Sequence, residues 1–536
     1  MACAPETLWA ALAAYGERAA LRDAAGEWSG ARVLAEVAAR RAVLDGLGAQ
    51  RVALALDNGA DWVAWDLALL ASGRVCVPVP GFFSPQQQAH VLDSAGVDTL
   101  IGDPAVAARV EGFVAVAAGS TATHRSAETR PVATGTTVSA REAPASAAGA
   151  SIFRRTPHSV PALPAGTVKI TYTSGTTGQP KGVCLDAAPQ LAVARSLAEV
   201  STACGVERHL CVLPLATLLE NVGGVYAAML AGACADLAPQ AALGMTGASG
   251  FDVARFMQTL HEHQPHSLIL LPQLLLALVT AAEQGIKLPD SLRFVAVGGG
   301  RVSPALLRRA EALGIPAFEG YGLSECASVV CVNTPGARRI GTVGRPLAHA
   351  AVRLAADGEV EVRGACMLGY LGEPAPASDW LPTGDLGHFD DGFLVLHGRK
   401  KHQFVTAFGR NVNPEWVEAE LTQQAPIAQA WVHGEALAAN VAVIVARRAD
   451  CPAADVDAAI ATANAALPDY ARVHRWLRAD APFTPANGLL TANGRLRRAA
   501  LAERYLARIA ACADLDVLAD PADPAPFLPL ENEIDA

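Results

Sequence analysis

The residues from Thr173 to Gly182 have the types and spacing to hold a polyphosphate. Thr173, Ser174, Gly175, Thr176, Thr177 and Gly178 follow one another without a large side chain. Small residues let the backbone come close to a ligand, and glycine reaches torsions that other residues avoid. Successive N–H groups and hydroxyls can then converge on an anion. Pro180 stiffens the exit, and Lys181 adds a positive charge within reach. The chemistry implied is charge neutralisation at phosphate by positioned donors. A Walker A loop is excluded, because from Gly175 it would need a Gly, then Lys, then Ser or Thr, and Pro180 stands in the way. A flexible linker fits poorly, because an alternating segment precedes the run and a Pro-Lys-Gly unit ends it. A second candidate is RFVAVGGG, residues 293–300, a strand running into glycines. Gly299 and Gly300 would let a flat ring lie on the backbone where parallel strands bind ligands, although a tight turn fits the same residues.

The block TSGTTGQPKG resembles the phosphate loop of the adenylate-forming, AMP-binding superfamily, which includes acyl-CoA synthetases, luciferases and the adenylation domains of peptide synthetases. IPAFEGYGLSECA, residues 315–327, resembles that superfamily's signature in which Gly-Tyr-Gly precedes Thr or Ser and then Glu. The resemblance implies nucleotide contacts at Gly299, Gly300, Glu319, Gly320, Tyr321 and Gly322, with Tyr321 stacked on adenine. It further implies that Ser324 faces a phosphate and that Glu325 holds Mg²⁺, a hard cation suited to a carboxylate. Asp385, in WLPTGDLGHFDDGFLVLHGRKK, resembles the ribose-binding Asp, and Arg399 the Arg that reaches ribose or phosphate. Lys401 falls at the interdomain hinge, and Gly409 matches a loop glycine near the CoA pantetheine tunnel. The catalytic group implied is Arg495, Lys181 and Glu325.

Two positions depart from the superfamily pattern. Acyl-CoA synthetases often carry a His in the segment LPLATLLEN that helps shape the acyl pocket, and this chain has Thr217. The superfamily also places a catalytic Lys near the C-terminus, where NGRLRR puts Arg495. Arg keeps the charge, but its planar fork is not equivalent to an ammonium. Three readings follow: Arg495 substitutes for the Lys, Arg497 or Arg498 does so in a shifted register, or adenylation is weak.

Several elements must position these groups. Val168, Ile170 and Tyr172 alternate with Lys169, Thr171 and Thr173, the period of a strand. Upstream, ETLWAALAAYGERA reads as a helix, RVALAL and RVCVPVP as strands, DWVAWDLALLASG as a helix ending at Gly73, and SPQQQAHVLDSAG as a helix opened by Ser-Pro. Strands alternating with helices imply parallel sheet. Residues 119–166, rich in Ser, Thr, Ala and Pro, read as a long surface connection. HLCVLPLATLLENVGGVYAAMLAGA reads as strand, turn and helix, GEVEVRGACMLGYLG as one strand, and the apolar stretch from Met257 to Gly285 as core with some acyl-tunnel lining. Asp390-Asp391-Gly392 reads as a hairpin turn.

With 536 residues, two or three structural units are expected. The fold class expected is α/β: a large N-terminal AMP-binding domain, 1–400, of parallel-rich sheets flanked by helices, and a small mobile C-terminal α+β domain, 401–510. Residues 511–536 read as an acidic, disordered tail. Lys plus Arg number 42 against 52 Asp plus Glu, a net of −10, which argues against nucleic-acid binding. Eleven scattered cysteines without a C-x-x-C read as small hydrophobes in a reducing compartment. No signal peptide or membrane span is expected, so the location expected is cytoplasmic, with at most peripheral membrane contact.

The resemblance implies an ATP- and Mg²⁺-dependent ligase. It would activate a medium- to long-chain fatty acid, or a related carboxylic acid, to acyl-AMP and pass the acyl group to CoA. Two alternatives remain open from sequence. One has a different acceptor: an amine, an acyl-carrier-protein thiol or an internal hydroxyl. The other is a weakly active ATP- or acyl-binding homologue.

Overall fold

Strands that are apolar along their whole length must be covered on both faces, which favours parallel pairing with helical crossovers. Val52–Leu54, Val77, Leu100, Ile101 and Ile170 are fully buried strand residues of this kind. The computed structural model describes residues 5–116, 150–173, 180–246, 250–491 and 494–513. It has the expected α/β fold class, with two large mixed sheets, a smaller antiparallel sheet and a C-terminal α+β unit.

The eight-stranded sheet is parallel at its centre, through Lys169–Thr173, Val75–Pro78, Arg51–Ala55 and Thr99–Gly102. Antiparallel strands close both sides, with Lys181–Leu185 and Gly369–Tyr370 beyond the phosphate-loop strand. The nine-stranded sheet runs parallel from Ala19–Asp23 through Cys234–Asp236, Arg208–Leu210, Ser267–Leu270 and Phe294–Val297 to Ala317–Leu323. A four-stranded antiparallel sheet follows, ending in the hairpin Leu381–Asp390 and Phe393–Arg399. Its turn is Asp391 and Gly392, both with positive φ, as the sequence signalled. After Lys401, strands Ile427–His433, Asn440–Ala446 and Val473–Arg478 form their own sheet. Helices Pro414–Thr422, Ala453–Ala465 and Arg498–Ala513 belong to the same unit. No described helix is long and apolar enough to cross a membrane.

Four expectations need correction. The first helix stops at Tyr15, because the chain turns at Gly16 and Ala19–Asp23 pairs as a strand. Within 119–166, Ile152–Arg154 pairs antiparallel with Thr99–Ile101, so this part of the connection is sheet edge; residues 117–149 lie outside those described. GEVEVRGACMLGYLG is two strands, split after Gly364 and joined to different sheets. The segment after Thr217 contains a π-helix, Asn221–Tyr226, rather than a simple turn and helix. The tail from residue 514 onward also lies outside the described residues.

The helix Ala60–Ser72 is buried on every side from Trp62 to Leu69, and it carries Asp66 into the interior. A buried carboxylate needs partners. Lys169 Nζ lies 3.0 Å from its Oδ1, and Asn221 Nδ2 and Tyr226 OH donate to its Oδ2 at 3.0 and 2.6 Å. Lys169 Nζ also donates to Asn221 Oδ1. One network thus ties the phosphate-loop strand, the buried helix and the π-helix. A second holds the π-helix entrance: His209 bridges Ser267 Oγ and Glu220 Oε1 at 2.9 and 2.8 Å, and Leu213 N–H donates to Glu220 Oε2. Removing one member of a buried pair leaves the other uncompensated. Lys169→Ala is therefore expected to destabilise the fold by about 3–5 kcal/mol, read as a lowered urea midpoint. A loss under ~1 kcal/mol would mean that Asp66 is stabilised without it.

Candidate active site

A ledge, a carboxylate and two cations meet where the strands of the large sheets end. Strand Phe294–Val297 leaves the nine-stranded sheet through Gly298, and Gly299 and Gly300 are exposed. Gly299 has φ +76°, and a Cβ there would stand 2.9 Å from Leu271 Cδ2. A Cβ on Gly298 would meet Gly320 O at 3.3 Å. The chain needs glycine here to make the turn and to keep an open backbone surface beside Tyr321.

Tyr321 sits on the neighbouring strand and donates its hydroxyl to Asp385 Oδ2 at 2.6 Å. Arg399 Nε lies 2.8 Å from Asp385 Oδ1, and its NH1 donates to Thr383 O at 3.0 Å. Asp385 and Arg399 are direct cross-strand partners in the hairpin, which is why their side chains meet. Burial pushes the Asp385 carboxyl above its ordinary pKa, and Arg399 and the Tyr321 hydroxyl pull it back. A carboxylate has about four acceptor positions. Two are filled, so the carboxylate keeps capacity for a pair of ligand hydroxyls.

The phosphate side is anchored at both ends. Thr173 and Lys181 are paired across the strands that flank the loop. Ser174, Gly175, Thr176, Thr177 and Gly178 lie outside the described residues. Lys181 Nζ contacts Glu373 Oε1 at 2.9 Å and lies 5.2 Å from the Tyr370 ring centre. That ion pair is half-exposed, so little free energy holds Lys181 away from a phosphate. Tyr370 OH donates to Glu325 Oε1 at 2.7 Å, and Met367 N–H donates to Glu325 O at 2.7 Å. Glu325 Oε2 has no hydrogen-bond partner among the described residues. One carboxylate oxygen held in place and one left open suits Mg²⁺, which takes few protein ligands and keeps its waters and phosphate oxygens. Ser324 opens the short 3-10 turn that presents Glu325.

The C-terminal unit closes over this surface. Arg495 NH2 donates to Gly299 O at 3.1 Å. Its turn is fixed by Thr491 N–H to Arg495 O at 2.7 Å and Arg495 N–H to Thr491 Oγ1 at 3.1 Å. Arg495 remains exposed at this edge; desolvation by the neighbouring protein and the nearby Arg399 charge lower its pKa, against Glu415, Asp385 and Glu325. Arg497 NH1 is bonded to Gly488 O, and Arg498 is bonded to both oxygens of Glu418, all within the C-terminal unit. Gly409 (φ +72°) lies in a separate turn, hydrogen-bonded to Thr406 O. No described hydrogen bond or ion pair links that turn to Asp385 or Arg495.

Sequence reasoning missed several groups. Tyr370 comes from a segment read as ordinary strand, and Glu373 directly follows that segment. Glu415 accepts from His402 at 2.6 Å beside the crossing between units. Ser303 Oγ donates to Glu420 at 3.0 and 3.2 Å and also caps the helix Pro304–Ala312. Arg301 is half-buried, donates to Leu396 O and stands 6.0 Å from the Trp416 ring centre. A Ser-Pro helix start was the available signal for Ser303; its reach to Glu420 depends on tertiary placement. Glu319 is buried near Arg301, and it makes no described hydrogen bond to the Tyr321–Asp385–Arg399 group. Most of the leucines from Leu268 to Leu278 are core, with Leu271 partly buried beside Gly299.

A family model described as AMP-binding enzyme matches residues 8–371. The long-chain-fatty-acid–CoA ligase FadD15 of Mycobacterium bovis is 28% identical, over 84% of this chain and 86% of its own length. A 2-succinylbenzoate–CoA ligase of Bacillus velezensis is 29% identical over 50% of this chain and 56% of its own. The anthranilate CoA ligase AuaEII, solved with anthranoyl-AMP, superposes with a TM-score of 0.73 at 20% identity, covering 95% of this chain and 98% of that one.

Burial raises the Glu319 carboxyl from 4.5 to about 8, against the opposing Arg301 charge. The folded state therefore holds a proton that the unfolded chain releases near pH 4.5. Stability from this group is full below that pH and is lost as pH rises through about 8. Glu319→Gln keeps the shape and removes the titration. Unfolding midpoints measured from acid to mildly basic pH should fall more steeply for the parent than for the variant. Parallel curves would show that Glu319 is already ionised.

Proposed function

The chain belongs to the AMP-binding enzyme family, and on that premise we propose that it joins a medium- to long-chain fatty acid to CoA by way of an acyl-adenylate. The observation that carries the reading is the contact of Arg495 with Gly299 beside Tyr321, Asp385 and Arg399, with Glu325 and Lys181 on the adjoining wall. The fatty acid is preferred because the relative aligned over most of both chains is named as a long-chain ligase.

Adenine lies on Gly299–Gly300 against Tyr321, and Asp385 accepts from the ribose hydroxyls. Residues Thr173–Gly178 and Lys181 surround the phosphates. Glu325 holds Mg²⁺, which when bound spreads the charge of the phosphate oxygens. A carboxylate oxygen of the acid attacks the α-phosphorus and pyrophosphate leaves. Arg495 steadies the acid carboxylate and the α-phosphate in line, so that positioning supplies much of the rate. The unit 401–510 then turns about Lys401, withdrawing Arg495 and bringing the Gly409 turn to the site. The CoA thiol attacks the acyl carbonyl and AMP leaves. Lid and domain movements of this kind gate successive steps. Phe408, beside Gly409, is 76% exposed in the present arrangement, as expected of a residue that packs only after the turn.

The decisive experiment measures AMP release from ATP and Mg²⁺ across fatty acids of increasing length, with and without CoA. AMP that needs both CoA and one range of acids supports the ligase. AMP without CoA dependence moves the acceptor to an amine, a carrier-protein thiol or a hydroxyl. No AMP with any acid removes the catalytic reading.

In the same assay Glu325→Ala is expected to lose Mg²⁺-dependent adenylation by at least about 10²-fold. Near-parental activity would sink the metal assignment. Arg495→Ala should lose a similar factor and Arg495→Lys should retain most of the rate. Equal rates in all three proteins would place the catalytic cation elsewhere.

A further inference from the structure

Cys326 directly follows Glu325, and Cys366 directly precedes Met367, whose N–H donates to Glu325 O. Their Sγ atoms are 3.8 Å apart. Cys326 is 1% exposed and Cys366 is half-buried. The two segments are already joined by the Met367–Glu325 backbone bond and by the Tyr370–Glu325 side-chain bond. We propose that Cys326 and Cys366 are an oxidisable dithiol that takes a small-molecule disulfide as oxidant and closes to a bond across the Glu325 turn.

The order of events follows from exposure. Cys366 sulfur, the more accessible, attacks one sulfur of the external disulfide RSSR. A Cys366–SR mixed disulfide forms and RS⁻ leaves. Cys326 sulfur attacks the Cys366 sulfur, the Cys366–SR bond breaks, and the second RS⁻ leaves. The two protons from the cysteines end on the two RS⁻ groups as RSH. Two electrons pass from the protein to the oxidant, and a reducing thiol reverses the sequence.

Closing the bond is expected to strain the turn that presents Glu325. The sulfurs have to approach from 3.8 Å to about 2.05 Å. The turn has little room to absorb the difference. Ala327 and Ser328, which follow Cys326, both hold positive φ, at 55° and 136°. Such backbone persists only where its surroundings enforce it. Ser328 O also lies where a Cβ on Gly322 would come within 1.9 Å, so that backbone is pressed against the strand. On the other side, Tyr370 is fixed by strand pairing to Val183, in the strand that returns from the phosphate loop. Whatever displacement side-chain rotation does not absorb falls on Glu325, and a shift of roughly 1 Å at reacting groups can cost on the order of 10²-fold in rate.

The dithiol stands on its own geometry; its effect on rate rests on the proposed adenylation. The test incubates the full chain with oxidised and reduced glutathione at several ratios, followed by mapping of linked peptides. A Cys326–Cys366 peptide that disappears with dithiothreitol is expected. Cys366→Ser should prevent it, and Cys326→Ser should leave glutathione stranded on Cys366. Because Cys326→Ser changes a buried site, Cys366→Ser on the accessible side decides if the other fails to fold. Absence of the linked peptide, or a glutathione adduct on Cys366 that persists in the parent chain, overturns the dithiol. In parallel, adenylation by the parent should fall at least about tenfold on oxidation and recover on reduction, with Cys366→Ser unaffected. Equal inactivation of Cys366→Ser, or full activity of the linked protein, overturns the coupling to Glu325. If no acid yields AMP in either redox state, the ligase reading fails while the peptide map still decides the dithiol.

Discussion

Register in one hairpin sets the geometry on which the rest of the site depends. Asp391 and Gly392 make a two-residue turn, which pairs Asp390 with Phe393 and fixes the ladder up to Gly387 and Leu396. Continued without interruption, that ladder would set Leu386 against His397 and Asp385 against Gly398. The pairing instead slips by one residue between Leu386 and Gly387, and Asp385 faces Arg399. A one-residue slip moves every later side chain to the other face. Bulges of this kind re-aim side chains next to functional sites. The slip places Arg399 where it can hold one oxygen of Asp385 while Tyr321 holds the other. It also leaves Gly398 at φ +123°, with Asn413 pressed where a Cβ would be. Asn413 caps the helix Pro414–Thr422, so the same bulge seats the first helix of the C-terminal unit.

That seating explains how a second unit can contribute to a site built on the first. Among the described residues, further contacts span the junction at different depths. Ser303 meets Glu420 in a buried position, Arg301 stands beside Trp416, and Arg495 reaches the Gly299 carbonyl. Burial raises the Glu420 carboxyl, with Ser303 and Arg301 acting against it. A hydroxyl donor is a modest partner for a buried acid, so the junction is specific without being strongly held. Such a junction suits units that must separate during a reaction cycle. Within the large unit the opposite holds. The Asp66–Lys169 pair and the His209–Glu220 pair fix the π-helix from two sides, and both are almost fully removed from water.

The parts proposed to face the nucleotide could be read from the sequence because they are local. A run of small residues, three glycines after a strand, Gly-Tyr-Gly followed by Ser-Glu, and an Asp-Gly turn each need only neighbouring residues to be recognised. The alternation of Val168, Ile170 and Tyr172 was enough to place the phosphate-loop strand. What stayed hidden depends on contacts distant in sequence. Tyr370 meets Glu325 only because Gly369–Tyr370 leaves one sheet and pairs in another. The edge strand Ile152–Arg154 has no periodic signal in three residues, and its pairing with Thr99–Ile101 creates it. The hairpin slip and the π-helix are one-residue changes of pairing, which hydrophobic patterning is too coarse to reveal. Cys326 and Cys366 looked like two scattered thiols until the fold set them side by side.

Arg495 is where local reading and fold bear on each other most directly. An ammonium carries three donors around a point charge, whereas a guanidinium carries five in a rigid plane. Arg495 uses one donor on the Gly299 carbonyl and keeps others for an anion. A lysine making the same contact would draw on its single nitrogen, and its charge centre would move with it. With arginine, the group that clamps the C-terminal unit onto the ledge can also face a carboxylate and a phosphate. The negative groups that compensate it, Glu415, Asp385 and Glu325, come from both units. Moving the units apart would separate Arg495 from Asp385 and Glu325 and leave it with Glu415. Closure and charge compensation at Arg495 are therefore one equilibrium. An anion arriving beside Arg495 would add attraction to a site where Arg495 already stands close to the like-charged Arg399. On the proposed reading, nucleotide binding and domain closure favour each other because they draw on the same charges.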